Sequence, residues 1–264
     1  MRDLRSALIT GASSGIGHAL AVVLARPGVT LHLSGRDATR LEAVAETCRS
    51  LGAIVQPRVL DVRDADAMAA WITNAGTLDF VVANAGVSAG TGDHSPENPA
   101  QARAIFATNL DGVLNTVLPA MTVMAEQAAD ADGVRGRIAV IASIAAFVPA
   151  PGAAAYSASK AAVDAWTVAS TYGAQQQGIR LTSVCPGYVR TAMTARNRFP
   201  MPGLMDAERA ARIILRGVAG GRVRIAFPWW MAWVARLAGL VPPRLLIAVL
   251  TTQRGKAQDP ALMS

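Results

Sequence analysis

Seven short runs rich in apolar and β-branched side chains alternate with longer stretches of helical periodicity. The runs fall at 6–10, 30–34, 54–60, 78–83, 137–143, 179–185 and 222–227, and the helical stretches at 16–25, 38–51, 65–75, 99–128, 154–177 and 206–218. Strands separated by helices need crossover connections, which make the strands parallel and put helices on both faces of the sheet. Most of the runs are nearly continuous in apolar residues, as strands buried on both faces should be. The chain is 264 residues long, near the upper size for one core. No repeat or linker divides it. The expected fold is a single doubly wound α/β domain over 1–227, with a mostly parallel sheet of about seven strands. An apolar, Trp-rich helical extension at 228–264 completes it. Asp206 is the expected N-cap of the last core helix, with Glu208 in its first turn. The stretches 87–96 and 189–205 are irregular and follow strand ends, where open α/β sheets bind ligands.

Charge would mislead if read as a total. The formal net charge is +7, yet residues 1–189 carry 13 basic and 15 acidic side chains while residues 190–264 carry 12 and 3. Only net charge speaks for nucleic-acid binding, so no nucleic-acid partner is expected. Of the 25 basic residues only Lys160 and Lys256 are lysines. Two cysteines, Cys48 and Cys185, exclude a disulfide scaffold, and no metal-ligand cluster occurs. The apolar stretch after Arg2, Asp3 and Arg5 is too short for a signal-peptide core. The region 225–250 is broken by Pro228, Arg236, Pro242, Pro243 and Arg244, against a simple transmembrane helix. The expected compartment is the cytoplasm.

The turn Thr10-Gly11-Ala12-Ser13-Ser14-Gly15-Ile16-Gly17 follows the first strand and opens the first helix. Gly11 permits a tight turn, Gly15 lets backbone approach a pyrophosphate, and Gly17 lets helix and strand pack closely. The helix N-terminus offers free N–H groups to the anion. This is a Rossmann-type dinucleotide site. At the end of the second strand, Ser34 or Gly35 stands where an NAD site usually has an acidic residue, and Arg36 follows. A guanidinium there suits a 2′-phosphate, which favours NADP(H) over NAD(H). Asp37 keeps the alternative open, as a ribose ligand or a partner that neutralises Arg36.

Tyr156 and Lys160 lie four apart at the start of the helix after the fifth strand, on one helical face. A nearby ammonium stabilises a phenolate and suits the tyrosine to proton transfer. Ser143 ends the preceding strand, where its hydroxyl could steady a substrate oxygen. Asn109 sits mid-helix, where asparagine has poor propensity, so its amide is expected to have a use.

These residues, in this order and spacing, resemble the short-chain dehydrogenase/reductase family over roughly residues 5–227. The resemblance rests on 10–17, Asp61-Val62, Asn84-Ala85-Gly86, Asn109, Ser143, the Tyr156/Lys160 pair, and Pro186-Gly187 with Thr191. It implies Tyr156 as general acid/base, with Lys160 lowering its pKa and binding the nicotinamide ribose. It further implies Ser143 polarising the substrate carbonyl and Asn109 as a proton-relay residue. Asp61 and Val62 would contact adenine, and Asn84, Ala85 and Gly86 would stabilise the sheet beside the cofactor. Pro186, Gly187, Val189 and Thr191 would hold the nicotinamide. Many NADP-preferring members have a basic residue where this chain has Ser14, so the NADP reading rests mainly on Arg36. The implied reaction is reversible hydride transfer with a small carbonyl or alcohol substrate, in a homodimer or homotetramer built on the helices at 99–128 and 154–177.

Around the expected pocket the chain offers Ile144, Ala145, Phe147 and Val148, with Met193, Met201, Leu204 and Met205 in the following loop. They suit a hydrophobic or lipid-like ketone or secondary alcohol, and suit ordinary packing equally. Arg190, Arg196 and Arg198 could meet an anionic group or lie in solvent. His94 is expected on a surface loop, and Cys185 as a buried thiol. In the extension, Trp229, Trp230 and Trp233 precede Val234, Leu237 and Leu240, and a second apolar helix at 245–250 ends near Arg254 and Lys256. A lid, a subunit contact, and peripheral membrane contact through 228–254 all fit that pattern. Two other readings of the whole chain stay open: a non-catalytic nucleotide-sensing or interaction protein on the same fold, and an NAD-dependent alcohol dehydrogenase.

Overall fold

The computed structural model describes residues 4–92, 95–197, 199–251, 256 and 258–263; His94, Arg198 and Arg254 lie outside them. Its strands are β1 (Ser6–Ile9), β2 (Thr30–Gly35), β3 (Ile54–Val59), β4 (Phe80–Ala83), β5 (Gly136–Ile141), β6 (Ile179–Pro186), β7 (Val189–Arg190), β8 (Met205–Asp206) and β9 (Arg224–Phe227). Seven of these form one sheet in the order β3-β2-β1-β4-β5-β6-β9, with every pairing parallel. The two-residue strands β7 and β8 pair separately. The strand order reverses between β1 and β4, and a crevice opens there at the carboxyl ends.

The helices are α1 (Gly15–Leu24), α2 (Ala38–Ser50), α3 (Ala65–Thr73), α4 (Pro99–Phe106), α5 (Gly112–Ala125), α6 (Ala154–Gln176), α7 (Ala192–Ala195), α8 (Ala207–Ala219), α9 (Trp229–Ala238) and α10 (Pro243–Leu250). Alternation along each strand divides the core in two. Ala7, Ile9, Leu31 and Leu33 face α1, α2 and α8. Leu8, Val81 and Ile138 face α3, α5 and α6. Both layers being apolar, the central strands read as continuous hydrophobic runs. Strand β3 differs because it is an edge: it carries Pro57 and is largely exposed. At the other edge, Arg224 on β9 forms a two-bond ion pair with buried Asp164 on α6, at 2.8 and 2.9 Å.

Three local features depart from the expectation. The helix expected at 99–128 is α4 and α5 joined by a π-helical turn, Ala107–Asp111, and it stops at Ala125. Such turns accommodate an extra residue and recur at functional sites; this one holds Asn109, fully buried. Asp206 stands at the N-cap of α8 but does not cap it with its side chain, because its carboxylate pairs with Arg190 at 3.0 Å. The extension after β9 contains α9 and α10. Helix α9 packs through Ala232 and Ala235 against Ile144, Phe147 and Val148, so those apolar residues serve the tail interface.

Candidate active site

Asn84 fixes the first turn to the end of β4. Its side-chain amide donates to the carbonyls of Thr10 and Gly11, at 2.9 and 3.1 Å. In return the Thr10 hydroxyl accepts from the backbone N–H groups of Asn84 and Ala85. That approach leaves no room for side chains. A Cβ on Gly11 would lie 2.8 Å from Ala85 Cα, and one on Gly17 would lie 2.5 Å from both Asn84 Nδ2 and the Gly11 carbonyl oxygen. Gly11 also has a φ of +64°, which an L side chain rarely adopts. The turn delivers the N-terminus of α1 uncapped by any side chain, so its first N–H groups are available to an anion.

The crevice above this turn is a cavity of about 610 Å³. Gly11, Ser13, Ser14, Gly15 and Ile16 line its floor, and Arg36, Asp61 and Val62 line one end. Asn84, Ala85 and Gly86 form the middle. Ser143, Tyr156, Lys160, Pro186, Gly187, Val189 and Thr191 line the other end. Of the expected site residues, Gly17 and Asn109 stand behind this surface. Thr191 caps α7, and a Cβ on Gly15 would meet its methyl group at 3.0 Å, so the segment after β6 closes over the turn.

At the end of β2, Asp37 accepts from the Arg40 backbone N–H as the cap of α2 and pairs with the Arg40 guanidinium at 2.7 Å. Both contacts hold its carboxyl below the usual range. Asp37 is therefore committed to Arg40, and Arg36 makes no ion pair among the described residues. Asp61 is held low by its hydrogen bonds to Arg63, with Arg36 a smaller contributor. The Ser34 hydroxyl, also on the cavity wall, is buried without a hydrogen-bond partner among the described residues.

The end that carries Ser143, Tyr156 and Lys160 is built on Asn109. Its carbonyl accepts from the Val87 N–H at 2.8 Å, and its amide donates to the Val87 carbonyl and the Ser159 hydroxyl, at 3.0 and 3.1 Å. It thus joins the chain after β4 to α6, and both amide N–H groups are occupied by protein. Gly86 lets this happen: a Cβ there would lie 3.1 Å from Asn109 Oδ1 and 3.5 Å from Lys160 Nζ. The Lys160 ammonium donates to the Ile141 carbonyl at 2.7 Å, and burial pulls its pKa down to about 8. Burial raises the Tyr156 phenol, while the Ser143 hydroxyl beside it pulls the other way.

Of the other residues expected around the pocket, most lie elsewhere than its wall. Met193 lines the cavity, whereas Met205 packs on the core. Arg190 and Arg196 pair with Asp206 and Asp259. Cys185 is a buried free thiol, pushed up to about 12 by burial. The position of Lys256 was not legible in the sequence: its ammonium lies 3.6 Å from the Tyr156 ring centroid. Lysine scarcity was the one hint, since the tail has no periodicity to place it.

A model of the short chain dehydrogenase family matches residues 5–200. The chain belongs to the short-chain dehydrogenase family. It is 38% identical over 248 residues to an uncharacterized oxidoreductase of Myxococcus xanthus, covering 92% of this chain and 95% of that one. A short-chain dehydrogenase from Sphingobium yanoikuyae in complex with NADPH superposes with a TM-score of 0.76 at 25% identity, covering 90% of this chain and 95% of that one. One from Mycobacterium paratuberculosis bound to NAD gives 0.74 at 25% identity, with 87% and 98% covered. The chain is thus a short-chain dehydrogenase/reductase with a nicotinamide dinucleotide site. The close contacts of Gly17 predict that Gly17→Ala weakens NADPH binding at least tenfold, or about 1.4 kcal/mol, in a fluorescence titration.

Proposed function

We propose that this short-chain dehydrogenase moves hydride between NADP(H) and the carbonyl or carbinol carbon of a hydrophobic, lipid-like substrate. The observation that carries this reading is the gathering of Ser143, Tyr156 and Lys160 on one wall of the cavity opened by the glycine turn. The bound nicotinamide supplies or accepts the hydride. In reduction, Tyr156 gives its hydroxyl proton to the substrate oxygen as negative charge builds there. The Lys160 ammonium lowers the cost of the phenolate left behind, and Ser143 donates a hydrogen bond to the same oxygen. Asn109 keeps the strand end and α6 in register. NADP(H) is favoured by Arg36, which Asp37 leaves free for a 2′-phosphate. A homodimer or homotetramer through α5 and α6 is supported by Leu118 and Tyr172, half or more exposed on those helices. Tyr156→Phe should lower NADPH-dependent reduction of apolar ketones at least a hundredfold and leave NADPH binding within about twofold of the parent. Retained turnover would remove Tyr156 from its role, and equal turnover with NADH at equal concentration would remove the NADP preference.

A second reading concerns the extension, as a peripheral contact with an anionic membrane. Helix α9 turns its small residues inward and leaves Trp229, Trp233 and Leu240 beyond it 72%, 58% and 81% exposed. Leu245 and Val249 continue the apolar surface on α10. Between Glu208 and Asp259 the sequence has nine basic residues and no acidic one. Tryptophan and arginine beside an exposed apolar stripe suit a bilayer interface. No helix among the described residues is long and apolar enough to cross a membrane. The intact chain should float with vesicles containing phosphatidylglycerol, and a Trp229→Ser/Trp233→Ser/Leu240→Ser variant should stay in the soluble fraction. No flotation by the intact chain contradicts this reading.

A further inference from the structure

The second lysine of the chain is docked on the catalytic tyrosine by contacts along the tail. The Lys256 carbonyl accepts from the Gly92 N–H at 2.7 Å, and its ammonium donates to the Ser88 hydroxyl at 2.5 Å. Gly90 admits it, since a Cβ there would come within 2.7 Å of Lys256 Cβ. Further along, Asp259 pairs with Arg196 and its N–H donates to the Gln101 side chain. Leu262 packs among Ala89, Ile105 and Ala155. These anchors lie on the loop after β4, on α4, on the start of α6 and just beyond α7, so the tail is held against the elements that surround Tyr156.

We propose that Lys256 is a positioning residue for proton transfer: its ammonium, held over the ring face of Tyr156, favours the phenolate that remains once the tyrosine has given up its proton. A cation over a neutral phenol is attracted to the ring quadrupole. The attraction grows when the ring takes on a full negative charge, so the tyrosine becomes more acidic. Lys160 serves the same phenolate from within α6, and Lys256 adds a second cation from the tail. This role rests on Tyr156 acting as the acid proposed above.

The two ammonium groups also act on each other. Burial first, and then the Lys160 charge, pull the Lys256 pKa down to about 7. The Lys256 ammonium faces the Tyr156 ring and feels the Lys160 charge, both on α6; on the elements packed against the tail, the Glu97 carboxylate accepts from the Ala155 N–H and Asp259 pairs with Arg196. Below pH 7 the tail cation is present and Tyr156 is the stronger acid. As pH rises through 7 the cation is lost and proton donation weakens.

Two readouts test this on the full chain carrying Lys256→Met or Lys256→Arg. Wild-type ketone reduction should fall severalfold as pH rises through about 7. Lys256→Met should be severalfold slower at pH 6 and lack that limb, whereas Lys256→Arg, charged at every pH, should stay fast through it. The second readout needs no turnover: a tyrosinate absorbance titration in a Tyr172→Phe/Tyr188→Phe background, where Tyr156 is the only tyrosine. Its midpoint should lie at least about half a pH unit, or threefold in acidity, lower in the Lys256→Arg variant than in the Lys256→Met variant. Equal midpoints overturn the inference. Different midpoints in a protein that reduces no ketone would instead uphold it and refute the reaction proposed for the site.

Discussion

Two asparagine amides hold the end of β4, and the working parts of the cleft depend on where they hold it. Asn84 ties the strand end to the glycine turn through the Thr10 and Gly11 carbonyls. Asn109 ties the next residues to α6 through Val87 and Ser159. One strand end is therefore bonded on one side to the dinucleotide turn and on the other to the helix bearing Tyr156 and Lys160. Buried amides are costly unless fully paired, and this pairing specifies one arrangement: Gly86, with no side chain, leaves both Asn109 Oδ1 and Lys160 Nζ in place beside it. The placement of the glycine turn and that of the helix bearing Tyr156 are set by the same few hydrogen bonds.

Much of this was legible in the sequence because it depends on local pattern. The strands of the central sheet are apolar on both faces, so their runs stand out, and the turn at 10–17 announces itself by glycine spacing. Tyr156 and Lys160 are neighbours on a helix, which spacing alone establishes. What escaped reading depends on tertiary choice. Periodicity cannot distinguish an α-helix from one carrying a π turn, yet the turn at Asn109 sets where its amide points. Asp206 has the right type and position for a cap, but Arg190 on the neighbouring strand competes for its carboxylate and wins. Phe147 suited either a pocket wall or ordinary packing, and the structure packs it beneath α9, with the guanidinium of Arg236 4.6 Å over its ring. Lys256 reaches Tyr156 across 100 residues of sequence, through contacts that no spacing encodes.

The uneven charge gains a structural meaning. Apart from Thr191 and Lys256, the residues proposed to bind the cofactor and carry the chemistry stand in the nearly neutral part of the chain, and the basic excess belongs to the segment that makes the loop after β6, α8 and the exposed apolar helices. Some of that charge is internally committed, as in the Arg224–Asp164 and Arg196–Asp259 pairs. Both lysines of the chain lie near Tyr156: Lys160 is one turn along α6, and Lys256, from the tail, stands over the ring.

Hydride transfer to a hydrophobic carbonyl is the central claim. NADPH deuterated at C4 of the nicotinamide, incubated with the protein and a set of apolar ketones, tests it most directly by mass spectrometry of the products. The expected result is deuterium at the carbinol carbon of at least one product. Absence of deuterated alcohol from every ketone, with either C4 epimer of the cofactor and in a protein that still binds NADPH, would contradict it and favour a nucleotide-sensing role for the same cleft.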